Sequence, residues 1–422
     1  MIAKGAFKNN QIANLNLGGA IVVGQSSFEN NQLTNISIAQ NVEIVDVDAF
    51  AANGNLSNVY FDSNKVRILS GFRDTAIDSL EIPDSVEMIE DSAFENCQFG
   101  FVNIKENIYS IGKSAFKGAN VNSINYLGNA TIKKIGEQAF ANNSLAGELV
   151  IPNSVETIGK SAFENNQIYS VSIPESITTI EESVFKTNYL TEVNIPNSVE
   201  TIKKDAFAGN RLTLVKLGNS IKYLSGFSYN ALTSIEIPSS VVEISANAFT
   251  SNKITSVVIP DSVITIGNES FKDNHLTSVT LGNSIETIGV DAFKNNQLTE
   301  ITIPNSVKYL SGFSNNNLKN VVIPNSVITI GESAFESNQL TSVVIPELVE
   351  TIGQKAFCNN QYIASVEFLG VKPVKIDEGA FYDNDFTSVE LPFGSTYETT
   401  IGMFGPSFDS SVNITFKPAP QK

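Results

Sequence analysis

Few residues in this chain are of a type that does chemistry, and their spacing argues against most reactions. The only histidine is His275. Catalytic triads of the Ser/His/Asp or Cys/His kind, and the common His-rich zinc sites, would all have to be built around that one side chain. It stands where Gln297 stands 22 residues later, a position expected to be an exposed loop site. Cys97 and Cys358 have no metal or redox spacing around them. No phosphate-binding glycine loop and no calcium loop of the D-x-[DN]-x-[DN]-G type is present. Carboxylate pairs such as Glu181-Glu182 are what any acidic chain carries, and nothing marks one as a glycosidase pair. The sequence therefore reads as a non-enzyme, with no cofactor and no metal.

The charge balance limits partners as well. With 27 basic and 44 acidic residues the formal net charge is −17. Nucleic acid and anionic membranes both require a basic footprint, so neither is expected as a partner. No stretch reaches the ~18 consecutive apolar residues of a membrane span, so membrane insertion is not expected either.

What positions the residues is a repeat. Ile151-Pro-Asn-Ser-Val-Glu-Thr-Ile-Gly-Lys-Ser-Ala-Phe-Glu-Asn-Asn-Gln167 returns in close variants from Ile173, Ile195, Ile259, Ile303, Ile323 and Ile345. Phenylalanine marks the period in 18 places, from Phe7 and Phe28 through Phe163 and Phe271 to Phe381, with a mean step of about 22 residues. A fixed aromatic at this step predicts a stacked core in a solenoid, each ring buried between its neighbours.

Each repeat has three parts. Leu276-Thr-Ser-Val-Thr-Leu281 alternates apolar and polar residues and reads as a strand, often closed by proline as at Pro152, Pro260 or Pro346. Ser154-Val-Glu-Thr-Ile-Gly159 reads as a second, shorter strand. Lys160-Ser-Ala-Phe-Glu-Asn-Asn166 reads as a tight turn, with room for one helical turn. Three residues after the phenylalanine comes asparagine in 15 of 18 repeats, the exceptions being Thr75, Cys97 and Ala119. A buried amide ladder satisfying loop N–H and C=O groups is the expectation. The three consecutive exceptions predict least regularity between Thr75 and Ala119. Three repeats, ending at Phe72, Phe227 and Phe313, lose two residues before the ring, and Ala119–Gly147 is slightly expanded. The cysteines lie 12 repeats apart, roughly 55–60 Å at sheet spacing, so they cannot bridge within a regular array.

Ile2-Ala-Lys-Gly-Ala-Phe7 aligns with the middle of a repeat, which gives the expectation that the chain is a fragment lacking an N-terminal polar cap. End-to-end self-association through that uncapped layer follows as an expectation. The expected organisation is a solenoid over residues 1–392, a capping segment over 393–416 and a linker over 417–422.

The motif Leu340-Thr-Ser-Val-Val-Ile-Pro346, followed by Val349, Ile352-Gly353 and Ala356-Phe357, resembles the BspA-like leucine-rich-repeat family, and the resemblance recurs some 18 times over residues 1–392. It implies a curved right-handed solenoid with a parallel sheet on its concave face. It also implies an extracellular or cell-surface protein of bacterial type, secreted or surface-held, that works as an adhesin binding host or extracellular-matrix proteins. No catalytic or binding motif defines that family, so no functional residue carries over.

The surface left for a protein ligand is the outward column of the first strand. Most of it is small and polar, but Val258, Thr280, Thr302, Val322 and Val344 follow one another on consecutive repeats as a shallow apolar stripe. β-Branched residues also simply suit strands. Tyr60, Phe101 and Tyr169 make a second candidate patch nearer the N-terminal end. Against binding stands a passive spacer that displays a neighbouring domain.

Overall fold

In the computed structural model, residues 1–129, 131–397, 399 and 406–419 are described. Of the two C-terminal segments expected above, positions 398, 400–405 and 420–422 lie outside the described residues. The chain is an all-β parallel solenoid of about 18 turns, with no helix among the described residues. It divides into two compact units: Met1–Val199 with Asp205–Leu212, and Glu200–Lys204 with Thr213–Lys422.

Most turns of the chain contribute two strand segments, because two stretches per repeat carry alternating or paired β-branched residues. The second segment is only two residues long, yet it forms the continuous ladder. In the first unit Ile68–Leu69, Met88–Ile89, Ser110–Ile111, Lys134–Ile135 and Thr157–Ile158 pair in sequence, all parallel. In the second unit the ladder runs without a break from Thr201–Ile202 through Thr265–Ile266 and Thr329–Ile330 to Thr396–Tyr397. The first segment, expected to be the main sheet, pairs two strands at a time, as in Ser256–Val258 with Ser278–Thr280 and Ser342–Ile345 with Ser365–Phe368. Proline at its end removes a donor from the ladder, so few backbone bonds remain per turn on that side.

The third part contains no helical turn. It is a chain of tight turns flanked by left-handed residues two places before and two places after the phenylalanine, as at Ser161 (φ 56) and Asn165 (φ 56). Left-handed backbone is unfavourable for residues other than glycine. Here it aims alternate N–H groups at the next turn: Ser161, Phe163 and Asn165 donate to Glu182, Val184 and Lys186, each at 2.9 Å. The backbone is thus satisfied along the solenoid axis without a strand. The serines, aspartates and asparagines that crowd these positions are the types that tolerate this conformation best.

The phenylalanine column is a continuous stack in each unit. In the first, centroids from Phe7 to Phe207 are 5.2–5.7 Å apart. In the second, from Phe227 to Phe381, they are 5.1–5.8 Å apart. The stack then goes one ring further than the repeat motif shows: Phe408 lies 5.3 Å from Phe381 at 6°, and Asn413–Phe416 pairs with Ser388–Leu391. A long step and serine in place of alanine at Ser407 hide this turn in the sequence.

The asparagine ladder forms as expected. Asn166 donates from Nδ2 to the carbonyls of Phe163 (3.1 Å) and Phe140 (2.9 Å), while its Oδ1 accepts from the Leu145 N–H (3.0 Å). The region from Thr75 to Ala119 is not the irregular one expected. Thr75 Oγ1 donates to Phe72 O at 2.8 Å, Cys97 Sγ to the same carbonyl at 3.2 Å, and the rings stack through at 5.3–5.7 Å. Phe99 adds edge-on contacts to Phe94 and Phe116. At Thr75 and Cys97 a small side chain that keeps a donor meets the carbonyl, and at Ala119, which has none, the rings still stack at 5.3 Å.

Candidate functional site

Alternation along the first strand fixes the stripe. Val257 and Val343 point inward and are buried, so Val258 and Val344 must point out. Val258 faces Thr280 in register, Thr302 forms a bridge with Val322, and Val344 faces Glu367. Val258 is 64% exposed, Val322 82% and Val344 43%, and Thr280 and Thr302 are exposed between them. Four steps of about 4.8 Å make the stripe about 19 Å long. Glu236 ends it on one side and Glu367 on the other, both exposed. The column beside it is polar, with Ser256, Ser278, Glu300, Asn320 and Ser342 all exposed.

The second candidate patch does not come together. Tyr60, Phe101 and Tyr169 are each half or more exposed (61%, 50% and 50%). They stand on different turns and in different columns: Tyr60 faces Ser37 and Phe101 faces Ser123. Tyr169 instead meets a residue that sequence reasoning passed over. Its ring lies 6.1 Å from that of Tyr189, and the Arg211 guanidinium sits 4.1 Å from the Tyr189 ring centre. Tyr189 and Arg211 occupy, on successive repeats, the position held by Gln167. The signal available was an aromatic followed by an arginine at a position that glutamine or another polar or small residue otherwise fills.

The depressions in the surface lie elsewhere and hold no catalytic constellation. One, of about 880 Å³, is in the first unit over Lys113, Lys134, Lys160, Glu90 and Glu137. Lys113 pairs with Glu137 and Lys160 with Glu182, so these charges neutralise one another. His275 is exposed. Both cysteines are free thiols. Burial pushes the Cys97 thiol up to about 11, against a partly offsetting hydrogen bond with Thr75, and burial pushes Cys358 up to about 11. Neither is an activated nucleophile, which would need a lowered pKa. Among the described residues no cluster of three His, Cys, Asp or Glu side chains could hold a metal ion, and no helix is long and apolar enough to cross a membrane.

A family model described as BspA type leucine rich repeat region, in six copies, matches residues 1–71, 69–189, 127–230, 225–312 and 309–415. Among solved structures, the chain is similar to a leucine-rich repeat protein from Bacteroides ovatus, at 19% identity and a TM-score of 0.51, covering 98% of this chain and 93% of that one. It is also similar to a leucine rich cell surface protein from Faecalibacterium prausnitzii (21% identity, 86% and 88% covered, TM-score 0.41). The pneumococcal vaccine antigen PcpA is a third (20% identity, 71% and 74% covered, TM-score 0.42). At these identities the likeness concerns the fold alone. No curated protein matches the chain.

Proposed function

We propose a protein-binding role for this chain, which belongs to the BspA type leucine-rich-repeat family. Repeat modules of this kind serve as interaction scaffolds, and the finer reading is attachment, at a bacterial cell surface, to a host or extracellular-matrix protein. One observation supports it above the others. The Val258–Val344 stripe holds β-branched side chains in full view of solvent, Val322 at 82%, on segments anchored by their buried alternate residues such as Val257 and Val343. Exposed valines and threonines on consecutive turns, ended by Glu236 and Glu367, offer β-branched side chains whose burial by a partner costs little conformational entropy. The role is non-enzymatic. That part of the reading is supported by the exposed single histidine, the raised thiol pKa values and the family.

The alternative is a passive spacer, and the rest of the same column supports it. Asn16, Ser37, Asn103, Asn125, Ser172 and Asn194 present nothing of the Tyr, Trp and Arg type that dominates interface energetics. Binding of the purified chain to immobilised matrix and host-surface proteins at physiological salt separates the two. The attachment reading expects saturable binding that Val322→Arg weakens at least about ten-fold while the thermal midpoint stays put. The spacer reading expects no saturable binding, or binding indifferent to Val322→Arg.

A further inference from the structure

We propose that Tyr169, Tyr189 and Arg211, in the first unit, form a second binding site, one that grips a carboxylate side chain presented by a partner protein. The argument starts from the arginines. The chain has three, and in a protein with 44 acidic residues each would be expected to find a carboxylate. Arg67 pairs with Glu87, and Arg73 with Asp48 and Asp74. Arg211 has no carboxylate partner among the described residues. It is exposed, and instead lies over the Tyr189 ring at 4.1 Å. Stacking on an aromatic face fixes the guanidinium plane while leaving its N–H fork free to meet a carboxylate bidentately. The cation is therefore pre-oriented and unclaimed.

A backbone irregularity places the third member. Along Ala146–Val150 and Gln167–Ser172 the register runs Gly147 to Ile168 and then Glu148 to Ser170, so Tyr169 has no partner across the ladder. Gly147 opposite takes a left-handed φ of 79. A bulge of this kind re-aims one side chain, and here the re-aimed ring comes within 6.1 Å of Tyr189 while remaining 50% exposed. The result is an apolar face beside a charged fork, and Tyr and Arg are the residue types that carry binding energy in interfaces.

Charge selects the occupant. A net charge of −17 repels a polyanion, so an acidic polysaccharide is disfavoured. A single Asp or Glu followed by an apolar residue, in an otherwise neutral segment, matches the cluster: the carboxylate meets Arg211 and the apolar neighbour packs on Tyr169. The proposal rests on the protein-binding reading but uses a different unit from the valine stripe.

The test uses the full chain on an array of nonapeptides carrying central Asp-Leu or Glu-Leu pairs, each beside its Asn-Leu or Gln-Leu isostere, with oligoglucuronate as a separate probe. We expect the carboxylate peptides to be retained at least about ten-fold better than their isosteres. Arg211→Gln is expected to bring that ratio to about one, and Tyr169→Ala to lower binding of both classes. No preference for carboxylate, or a preference that survives Arg211→Gln, overturns the site. Oligoglucuronate bound in preference to every peptide, in an Arg211-dependent manner, overturns the assignment to a protein segment. Val322→Arg serves as the control: it leaves the peptide signal intact, so loss of attachment through the stripe and loss of this site are read separately.

Discussion

Asn188 donates from its Nδ2 to the carbonyl of Phe163, one turn earlier, at 2.9 Å. The same amide group reaches its own Phe185 carbonyl at 3.2 Å, and Oδ1 accepts from the Ile168 N–H at 3.1 Å. One side chain therefore satisfies three backbone groups on two turns that stacking has removed from water. Asn188→Ala takes the side-chain acceptor from the Ile168 N–H, while Phe163 O keeps Asn166 Nδ2 and Phe185 O keeps Asn210 Nδ2, and an unsatisfied buried polar group costs about 1–3 kcal/mol. The expected loss for Asn188→Ala is therefore about 1–3 kcal/mol, read from the urea midpoint. Asn188→Thr should lose less, because Thr75 already fills the same position by donating to Phe72 O.

The aromatic stack predicts a dependence on place. Phe271 is fully buried and stacks on both sides, 5.3 Å from Phe249 and 5.4 Å from Phe293. Phe7 is 45% exposed and stacks only on Phe28 among the described residues. Phe271→Ala should cost about 3–5 kcal/mol. Phe7→Ala should cost less than half as much, since its ring loses less burial. Chemical denaturation of the two variants side by side checks the ordering; equal losses would show that the stack does not carry the stability assigned to it.

The architecture was legible in the sequence because phenylalanine, the Val/Ile positions and asparagine repeat in a fixed order, and a solenoid has few ways to stack such a unit. Three things were not legible. Left-handed residues such as Ser161 and Asn165 look like ordinary turn polar residues until their N–H groups are seen to bond forward. Thr75 and Cys97 look like defects because residue type was taken for the requirement, when the donor is. Phe408 was hidden by a step of 27 residues from Phe381 that breaks the spacing. Of the candidate surface, the exposure of the valine stripe followed from alternation. The meeting of Tyr169 with Tyr189 and Arg211 did not, because it depends on a bulge, and the 23-residue step from Phe140 to Phe163 does not say which side chain is re-aimed.

The shortened repeats place glycine directly before the ring. Gly312 has φ 94, and a Cβ there would lie 2.6 Å from the Gly289 carbonyl oxygen and 2.8 Å from the Ala292 nitrogen. Both neighbours are backbone, so neither can swing aside. Its own carbonyl accepts from the Phe293 N–H at 2.7 Å, which pins it against the preceding turn. Gly312→Ala should cost more than the about 1–3 kcal/mol of an unfavourable backbone conformation alone, because the contact adds to it. Gly54→Ala, with open space around its Cβ position, is the comparison and should change the melting midpoint little.

The Cys97 thiol gives a pH dependence with a defined sign. Burial is the main cause that holds it up to about 11 in the folded chain, from an ordinary value of 9.0. The folded state therefore keeps its proton where the unfolded chain has lost it. The stability this contributes is full below pH 9 and is lost as pH rises from 9 towards 11, because across that window the unfolded state binds fewer protons than the folded one. Cys358, also raised to about 11 by burial, acts in the same direction. The urea midpoint should fall between pH 9 and 11, and the fall should be smaller in a Cys97→Thr, Cys358→Ala double variant, which lacks both thiols. Alkylation should report the same shift kinetically: at pH 8 iodoacetamide should label both cysteines slowly in the folded chain and rapidly in urea. Rapid labelling of Cys97 at pH 8 without denaturant would mean that its turn opens often, and that the Thr75–Cys97 stretch of the ladder is weaker than its hydrogen bonds to Phe72 imply.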